Sequence, residues 1–225
     1  MKKIERYHSE TAREYALRAI TENIKSIDLE PGQAISENEI SSFIGVSRTP
    51  VREAIQELHK AALIEIYPQR GSYVSLINSQ YVEEAVFLRK VLDIAVIGEA
   101  CDLATAEDIK LLDENVALQE FYLEKDNTQK IFELDNEFHR MIYVAAKKET
   151  IHNIRRTFMI HFDRVRTLSM LTVKDKKIVD DHKQMLKAIQ DKNKSKAKEI
   201  VEKHLNRYRV DQKELLKTYS QYFEK

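Results

Sequence analysis

The chain has 225 residues, of which 43% are hydrophobic and 33% are charged, a length that suits two small domains. Its 37 Lys and Arg residues balance 37 Asp and Glu residues, so the overall charge gives no support for a nucleic-acid partner. No apolar run approaches the roughly 20 residues that span a bilayer, and the charged start lacks the apolar core of a signal peptide. We therefore expect a cytoplasmic protein without a membrane partner.

The residue content favours a mainly α fold. Only four Gly and three Pro interrupt a chain rich in Lys, Glu, Leu, Ile and Ala, which are good helix formers. The single cysteine, Cys101, excludes an internal disulfide and fits a reducing compartment. Because its sequence neighbours are apolar, we interpret Cys101 as a small core residue and not as a nucleophile.

The first third of the chain predicts helices followed by a hairpin. Apolar residues recur at helical spacing over 9–27. Ser36, with Glu39 three residues later, has the pattern of a capping box at the start of a short helix that Gly45 ends. A second helix is predicted over 48–61. Two β-rich segments then flank the Pro/Gly turn at 68–71. This order of elements is that of a winged helix-turn-helix, which we place at residues 1–78.

The remainder, residues 79–225, has helical periodicity throughout and predicts an all-helical bundle joined by short loops. The predicted helices cover 80–102, 106–125, 128–146, 148–170, 174–191 and 194–222.

The segment GVSRTPVREA, from Gly45 to Ala54, carries the prediction of DNA binding. In a helix-turn-helix, the second helix enters the major groove by its N-terminal end. Ser47 and Thr49 lie at that end, where backbone N–H groups and the helix dipole favour a phosphate. Arg48 and Arg52 are four residues apart, hence on one face, and a guanidinium suits the O6 and N7 atoms of guanine. The alternative is that both arginines are merely solvated, with Arg52 paired to a nearby Glu.

The complete pattern resembles the GntR family of transcription regulators. The resemblance covers about residues 9–77 and rests on four segments, namely Glu30–Gly32, Ile35–Ser41, Gly45–Ala54 and Arg70–Gly71. It implies that Arg48 and Arg52 contact bases of double-stranded operator DNA. It also implies that Arg70 and Gly71 form the tip of the wing.

Four polar side chains on apolar helix faces predict a metal site. Asp135 and His139 are spaced i, i+4, and His182 and His204 lie on the next-to-last and last predicted helices, each among apolar neighbours. Burying four such groups is costly unless something satisfies them, and a divalent transition metal (Zn, Ni, Mn or Fe) would do so. A hydrogen-bonded core histidine is the alternative for any one of the three. The i, i+4 pair together with two further histidines favours the metal.

The helical segment resembles the FCD-type ligand-binding domain of the FadR branch of the GntR family. The residues that carry this resemblance are Leu88–Leu92, Asp135 with His139 and Arg140, Asp181–His182, and His204–Leu205. It implies a small organic acid as effector, bound where the metal lies. It also implies that Arg89 pairs with a carboxylate of that effector, with a surface charge as the alternative.

Together these features predict a homodimeric repressor, because two DNA half-sites require a two-fold dimer. We expect the effector to relieve repression through its different affinities for two states of the protein. Two alternatives remain at this point. The helical domain serves dimerisation alone, or the Asp/His set belongs to a metal-dependent enzyme, against which no general base or nucleophile motif is found.

Overall fold

The computed structural model describes residues 1–172, 177–206 and 208–224. These residues form two compact units, each with its own core. Unit 1 contains residues 1–83, 160–168 and the C-terminal residues from Leu216 onwards. Unit 2 contains Glu84–Met159 and Ser169–Leu215.

Unit 1 is built on a winged helix-turn-helix, as the sequence predicted. Its elements are α1 (Ala12–Lys25), β1 (Ala34–Ile35), α2 (Glu37–Ile44), α3 (Arg48–Lys60), β2 (Ile64–Tyr67) and β3 (Gly71–Val74). The three strands form an antiparallel sheet in the order β1-β3-β2. The β2–β3 hairpin pairs Tyr67 with Gly71 next to the turn. The two-residue strand β1 was not predicted.

Local residue choices position the DNA-reading helix. The Ser36 side chain accepts a hydrogen bond from the Glu39 backbone N–H at the start of α2. Gly45 ends α2 in the left-handed conformation, with φ of 73°, which an L side chain adopts only with strain. Ser47 then occupies the N-cap position of α3 with an extended backbone. Val51, Ala54, Ile55 and Leu58 bury the apolar face of α3, so the opposite face of this helix is left exposed.

A segment of a later helix completes unit 1. Residues 160–168 of α7 (Glu149–Thr172) belong to this unit. The buried Arg164 donates a hydrogen bond to the Ser75 carbonyl at 2.8 Å, and Thr167 donates one to the Lys25 carbonyl at 2.8 Å. Hydrophobic periodicity gave no sign of this arrangement, since it reports that a helix has a buried face but not what covers it.

The other helices are α4 (Ser79–Leu103), α5 (Ala106–Glu124), α6 (Thr128–Ala145), α8 (Lys177–Gln190), α9 (Lys194–Asn206) and α10 (Tyr208–Thr218). They agree with the predicted helices, with one difference. The single helix predicted over 194–222 corresponds to α9, α10 and a 3₁₀ turn at Ser220–Tyr222, with Arg207 outside the described residues. Residues 174–176, predicted to begin a helix, also lie outside them.

The mainly α fold class, with a small sheet only in the winged helix, is confirmed. Cys101 is buried in the core of unit 2, as expected of a small packing residue. Among the described residues, no helix combines the length and the hydropathy required for a membrane span.

Candidate DNA-binding surface and metal centre

The two predicted base-reading arginines stand on the exposed face of α3. The side chains of Arg48 and Arg52 are each 60% exposed. Glu37, at the start of α2, accepts hydrogen bonds from Arg52 Nε at 3.1 Å and Arg52 Nη2 at 2.9 Å. Its carboxylate lies 3.9 Å from Arg48 Nη2. The hydrogen bond that Arg52 donates to Glu37 raises the pKa of Arg52, which stays cationic. The sequence alternative of an Arg52–Glu pair is therefore present in the DNA-free chain, and base contact by Arg48 and Arg52 stays a prediction.

The other predicted DNA contacts also belong to unit 1, at the start of α3 and at the hairpin turn. Ser47 makes no side-chain capping hydrogen bond, and Thr49 is exposed at the start of α3. At the hairpin turn, the Arg70 guanidinium lies 5.8 Å from the centre of the Tyr67 ring. Gly71 adopts φ of 103°, a conformation that favours glycine. Their roles at a phosphate or at a wing tip also stay predictions.

The four predicted metal ligands converge within unit 2. Asp135 and His139 lie on α6, His182 lies on α8 and His204 lies on α9. One ligand atom from each of the four residues lies within 4.8 Å of the others, and all four are buried. His182 Nε2 lies 3.5 Å from Asp135 Oδ1. The His182 ring centre is 5.3 Å from that of His139 and 5.0 Å from that of His204. The sequence thus identified a real cluster from residues far apart in the chain.

A chain of buried amides fixes the tautomer of His182. Asn115 donates to the Leu134 carbonyl at 3.2 Å, so its oxygen accepts from Gln119 Nε2 at 2.7 Å. The Gln119 oxygen in turn lies 2.8 Å from His182 Nδ1 and can only accept there. His182 Nδ1 therefore carries the proton, and Nε2 presents its lone pair towards Asp135. Burial first, and then the neighbouring His204, lower the pKa of His182 to about 3, so its ring is neutral at pH 7.

The donor set fits a divalent transition metal. Three imidazoles and one carboxylate are ligands that suit Zn, Ni, Mn or Fe. His182 Nε2 is buried and has no hydrogen-bond partner among the described residues. With bonds near 2.1 Å, two ligands on opposite sides of one ion lie about 4 Å apart, close to the separations observed. Asp181 Oδ2, 3.5 Å from His204 Nδ1, supplies a buried acidic neighbour of the kind that orients a ligating histidine.

Arg89 is buried beside this cluster, not exposed on the surface. It is 4% exposed, and its Nε donates to Asp93 Oδ2 at 3.0 Å. The other oxygen of Asp93 accepts from the Tyr143 hydroxyl at 2.6 Å. Although burial acts in the opposite direction, the cations Arg89 and Arg155 hold the pKa of Asp93 below its usual value. Asp93 Oδ2 lies 4.0 Å from His139 Nδ1, which connects this ionic group to the predicted metal ligands.

Sequence reasoning missed three residues of this region, namely Gln119, Asp93 and Arg155. Each looked like an ordinary polar position on a long helix. The spacing of Arg89 and Asp93, i and i+4 on α4, was the available signal for one of them. His161 lies outside this cluster, with its Nε2 atom 3.1 Å from the Ala61 carbonyl oxygen in unit 1.

Comparison with known proteins follows the same division of the chain. The family model "Bacterial regulatory proteins, gntR family" matches residues 13–74, and the model "FCD domain" matches residues 84–207. The HTH-type transcriptional repressor RspR of Escherichia coli K12 is 30% identical over 211 residues, which cover 92% of this chain and 91% of RspR. The chain belongs to the GntR family. It is an FCD-containing member of that family, as the sequence motifs predicted.

Solved structures of GntR regulators share the fold. Escherichia coli McbR/YncC matches with a TM-score of 0.77 and 17% identity over 95% of this chain and 99% of that one. A GntR regulator from Rhodococcus sp. RHA1 matches with a TM-score of 0.72 and 18% identity over 92% of this chain and 98% of that one. The protein is thus a DNA-binding GntR transcription regulator and not an enzyme.

Proposed function

We propose that this GntR regulator is a metal-containing repressor whose hold on operator DNA is released by a small organic acid. The observation that carries the proposal is the buried Asp135/His139/His182/His204 cluster beside the cation Arg89. Similarity to RspR, named as a transcriptional repressor, supports the sign of regulation. In this proposal, residues 1–78 bind DNA, while residues 79–225 bind the effector and form the dimer.

DNA recognition depends on the start of α3. Arg48 and Arg52 read base edges, Ser47 and Thr49 meet a phosphate, and Arg70 and Gly71 bring the wing to the DNA backbone. Arg52 would exchange its hydrogen bonds to Glu37 for contacts with the DNA. Residues 1–78 contain ten Lys and Arg against eleven Asp and Glu, so local geometry and not overall charge must guide binding.

The DNA proposal is tested by selecting binding sites from a random duplex library with the full-length protein. The selected site is then titrated at fixed salt. We expect Arg48→Ala and Arg52→Ala each to weaken specific binding about ten- to a hundredfold. Lys60→Ala is the matched control, because it removes one charge from the opposite end of α3, about 18 Å along the helix axis. Unchanged specific affinity in both arginine variants would contradict their base-reading roles.

The effector proposal rests on complementary charges in the core of unit 2. A bound metal would supply a Lewis-acid centre with positions open to carboxylate oxygens. Arg89 offers a guanidinium to the same carboxylate, held in place by Asp93. An acid bound there shifts the equilibrium between DNA-binding and released states only as far as its affinity differs between them.

We propose that a second copy of the chain covers exposed apolar side chains of α4 and α7. Phe87 and Ile154 are 70% and 67% exposed, with Val91 and Phe158 close to them in sequence and also exposed. Exposed apolar side chains are typical of the centre of an interface, which commonly buries about 800 Å² per partner. A two-fold dimer also matches the symmetry of paired half-sites.

Two measurements separate this function from its alternative, in which unit 2 serves dimerisation alone. Native mass spectrometry of the full chain should show a dimer that carries metal, and Phe158→Glu should produce monomers. Phe121→Glu, on the exposed side of α5, is the control that should leave the dimer intact. A dimer without bound metal, even after incubation with Zn²⁺, would favour the dimerisation-only alternative.

A further inference from the structure

A second buried cation lies in unit 2 and acts electrostatically on Asp93, the same carboxylate that accepts a hydrogen bond from Arg89. Arg155 on α7 is 7% exposed, and its Nε has no hydrogen-bond partner among the described residues. Its guanidinium lies over the Tyr143 ring, 4.8 Å from the ring centre. A buried guanidinium without a hydrogen-bonded acceptor is costly, because a buried charge must be paired to offset its lost hydration.

Asp93, whose charge interacts with Arg155, does not satisfy this guanidinium. Both Asp93 oxygens already accept hydrogen bonds, one from Arg89 and the other from Tyr143. Arg155 interacts with Asp93 through its charge, without a hydrogen bond recorded between them. Next to Arg155, the buried Nδ1 atom of His152 also has no partner in the described part of the chain. The His152 ring centre is 5.3 Å from that of Tyr143, so Arg155 and His152 flank the same tyrosine.

The balance of buried charges also indicates a missing anion in this region. Among the described residues of this region, the cations Arg89 and Arg155 balance the carboxylates Asp93 and Asp135. Asp181 is compensated separately by Lys203, whose Nζ lies 3.9 Å from it. A divalent metal held by the Asp135 cluster would then leave a net charge of +2. One carboxylate neutralises half of that charge, whereas two carboxylates on one ligand neutralise all of it.

We propose that Arg155 and His152 form a second anion-binding position, and that the effector is therefore a dicarboxylate. One carboxylate meets the metal and Arg89, and the other accepts hydrogen bonds from Arg155. The inference rests on the proposed acid-sensing function and narrows the class of acid. Hydrogen bonds join Arg89, Asp93 and Tyr143, and the Tyr143 ring lies against the Arg155 guanidinium.

The test compares matched acids on the full-length, Zn²⁺-loaded protein by isothermal titration calorimetry. Succinate and glutarate are the dicarboxylate probes, and propionate and butyrate are the monocarboxylate probes. We expect the wild type to bind a dicarboxylate at least tenfold more tightly than its monocarboxylate counterpart. Arg155→Met should abolish most of this preference while changing monocarboxylate affinity less than about twofold. Arg156→Met, which removes the adjacent exposed charge, should keep the preference.

The possible outcomes distinguish this inference from the proposed function. If the wild type binds both acid classes equally, or if Arg155→Met keeps the preference, the second position is overturned while acid sensing stands. If the metal-loaded wild type binds neither class, acid sensing fails and this inference fails with it. Should Arg155→Met not fold, Arg155→Lys replaces it. We expect that variant to weaken the dicarboxylate preference because a single ammonium cannot make the paired contacts of a guanidinium, and full retention would overturn the proposal.

Discussion

Gln119→Met tests whether the buried amide chain prepares His182 to bind a metal. Gln119 is fully buried on α5, and its oxygen accepts the His182 Nδ1 proton at 2.8 Å. Methionine has a similar size and fills the same space but removes that acceptor and the donor to Asn115. Loss of a partner behind a ligating histidine commonly lowers metal affinity 10- to 100-fold, equivalent to about 1.4–2.7 kcal/mol. Gln119→Glu is the matched variant, because it keeps an acceptor opposite His182.

Metal affinity would be measured by competition with a chromophoric chelator, alongside thermal unfolding with and without Zn²⁺. Both variants disturb packing, so the comparison uses the stabilisation that metal adds to each protein and not the melting temperature itself. That increment should fall by about 1.4–2.7 kcal/mol in Gln119→Met. It should be equal to the wild type or larger in Gln119→Glu. The reasoning is refuted if Gln119→Met binds metal as tightly as the wild type.

Three further predictions concern unit 1. Burial, followed by the charge of Arg164, lowers the pKa of His161 to about 4, so the unfolded chain binds a proton there more tightly. The stabilisation from neutral His161 is complete above pH 6.5 and is lost as the pH falls towards 4. Urea titrations measure the free energy of unfolding. Between pH 6.5 and 4, this free energy should fall by about 3 kcal/mol less in His161→Gln than in the wild type. Gly45→Ala, with open space around its Cβ but φ of 73°, should cost about 1–2 kcal/mol in denaturant unfolding, and no cost would contradict the strain. Arg164→Ala, which deletes a fully buried side chain and its bond to Ser75, should lower the unfolding free energy by about 3 kcal/mol or more, whereas exposed Arg13→Ala should change it little.

Local sequence signals predicted most elements of unit 1 because single residues set the ends of its helices. Ser36 and Gly45 delimit α2, and Ser47 begins α3, each through a backbone conformation that its residue type favours. Strand β1 escaped prediction because two residues are too few to show a period of two. Its pairing, Ala34 with Tyr73, depends on β3, which lies almost 40 residues later in the chain.

The metal ligands could be predicted from the sequence, whereas the residues that support them could not. His139 and His182 stand out because a titratable ring interrupts an apolar face. On α5, however, the usual pattern is reversed. Gln119 is fully buried, whereas its neighbours Leu118 and Phe121 are 47% and 50% exposed. A hydrophobic-periodicity argument places Gln119 on the surface. Only the approach of α8 makes its oxygen a necessary partner of His182.

The origin of the four ligands explains how metal could act on more than its own site. They come from three separate helices, since Asp135 and His139 belong to α6, His182 to α8 and His204 to α9. The buried Nε2 atom of His182 has no hydrogen-bond partner in the described part of the chain. A ligand that binds only this arrangement stabilises it relative to every other arrangement of the helices. Metal would therefore favour the conformations in which Arg89 and Asp93 lie beside His139. An acid that needs both the metal and Arg89 would then bind more tightly after metal than before, and metal would bind more tightly after the acid by the same factor.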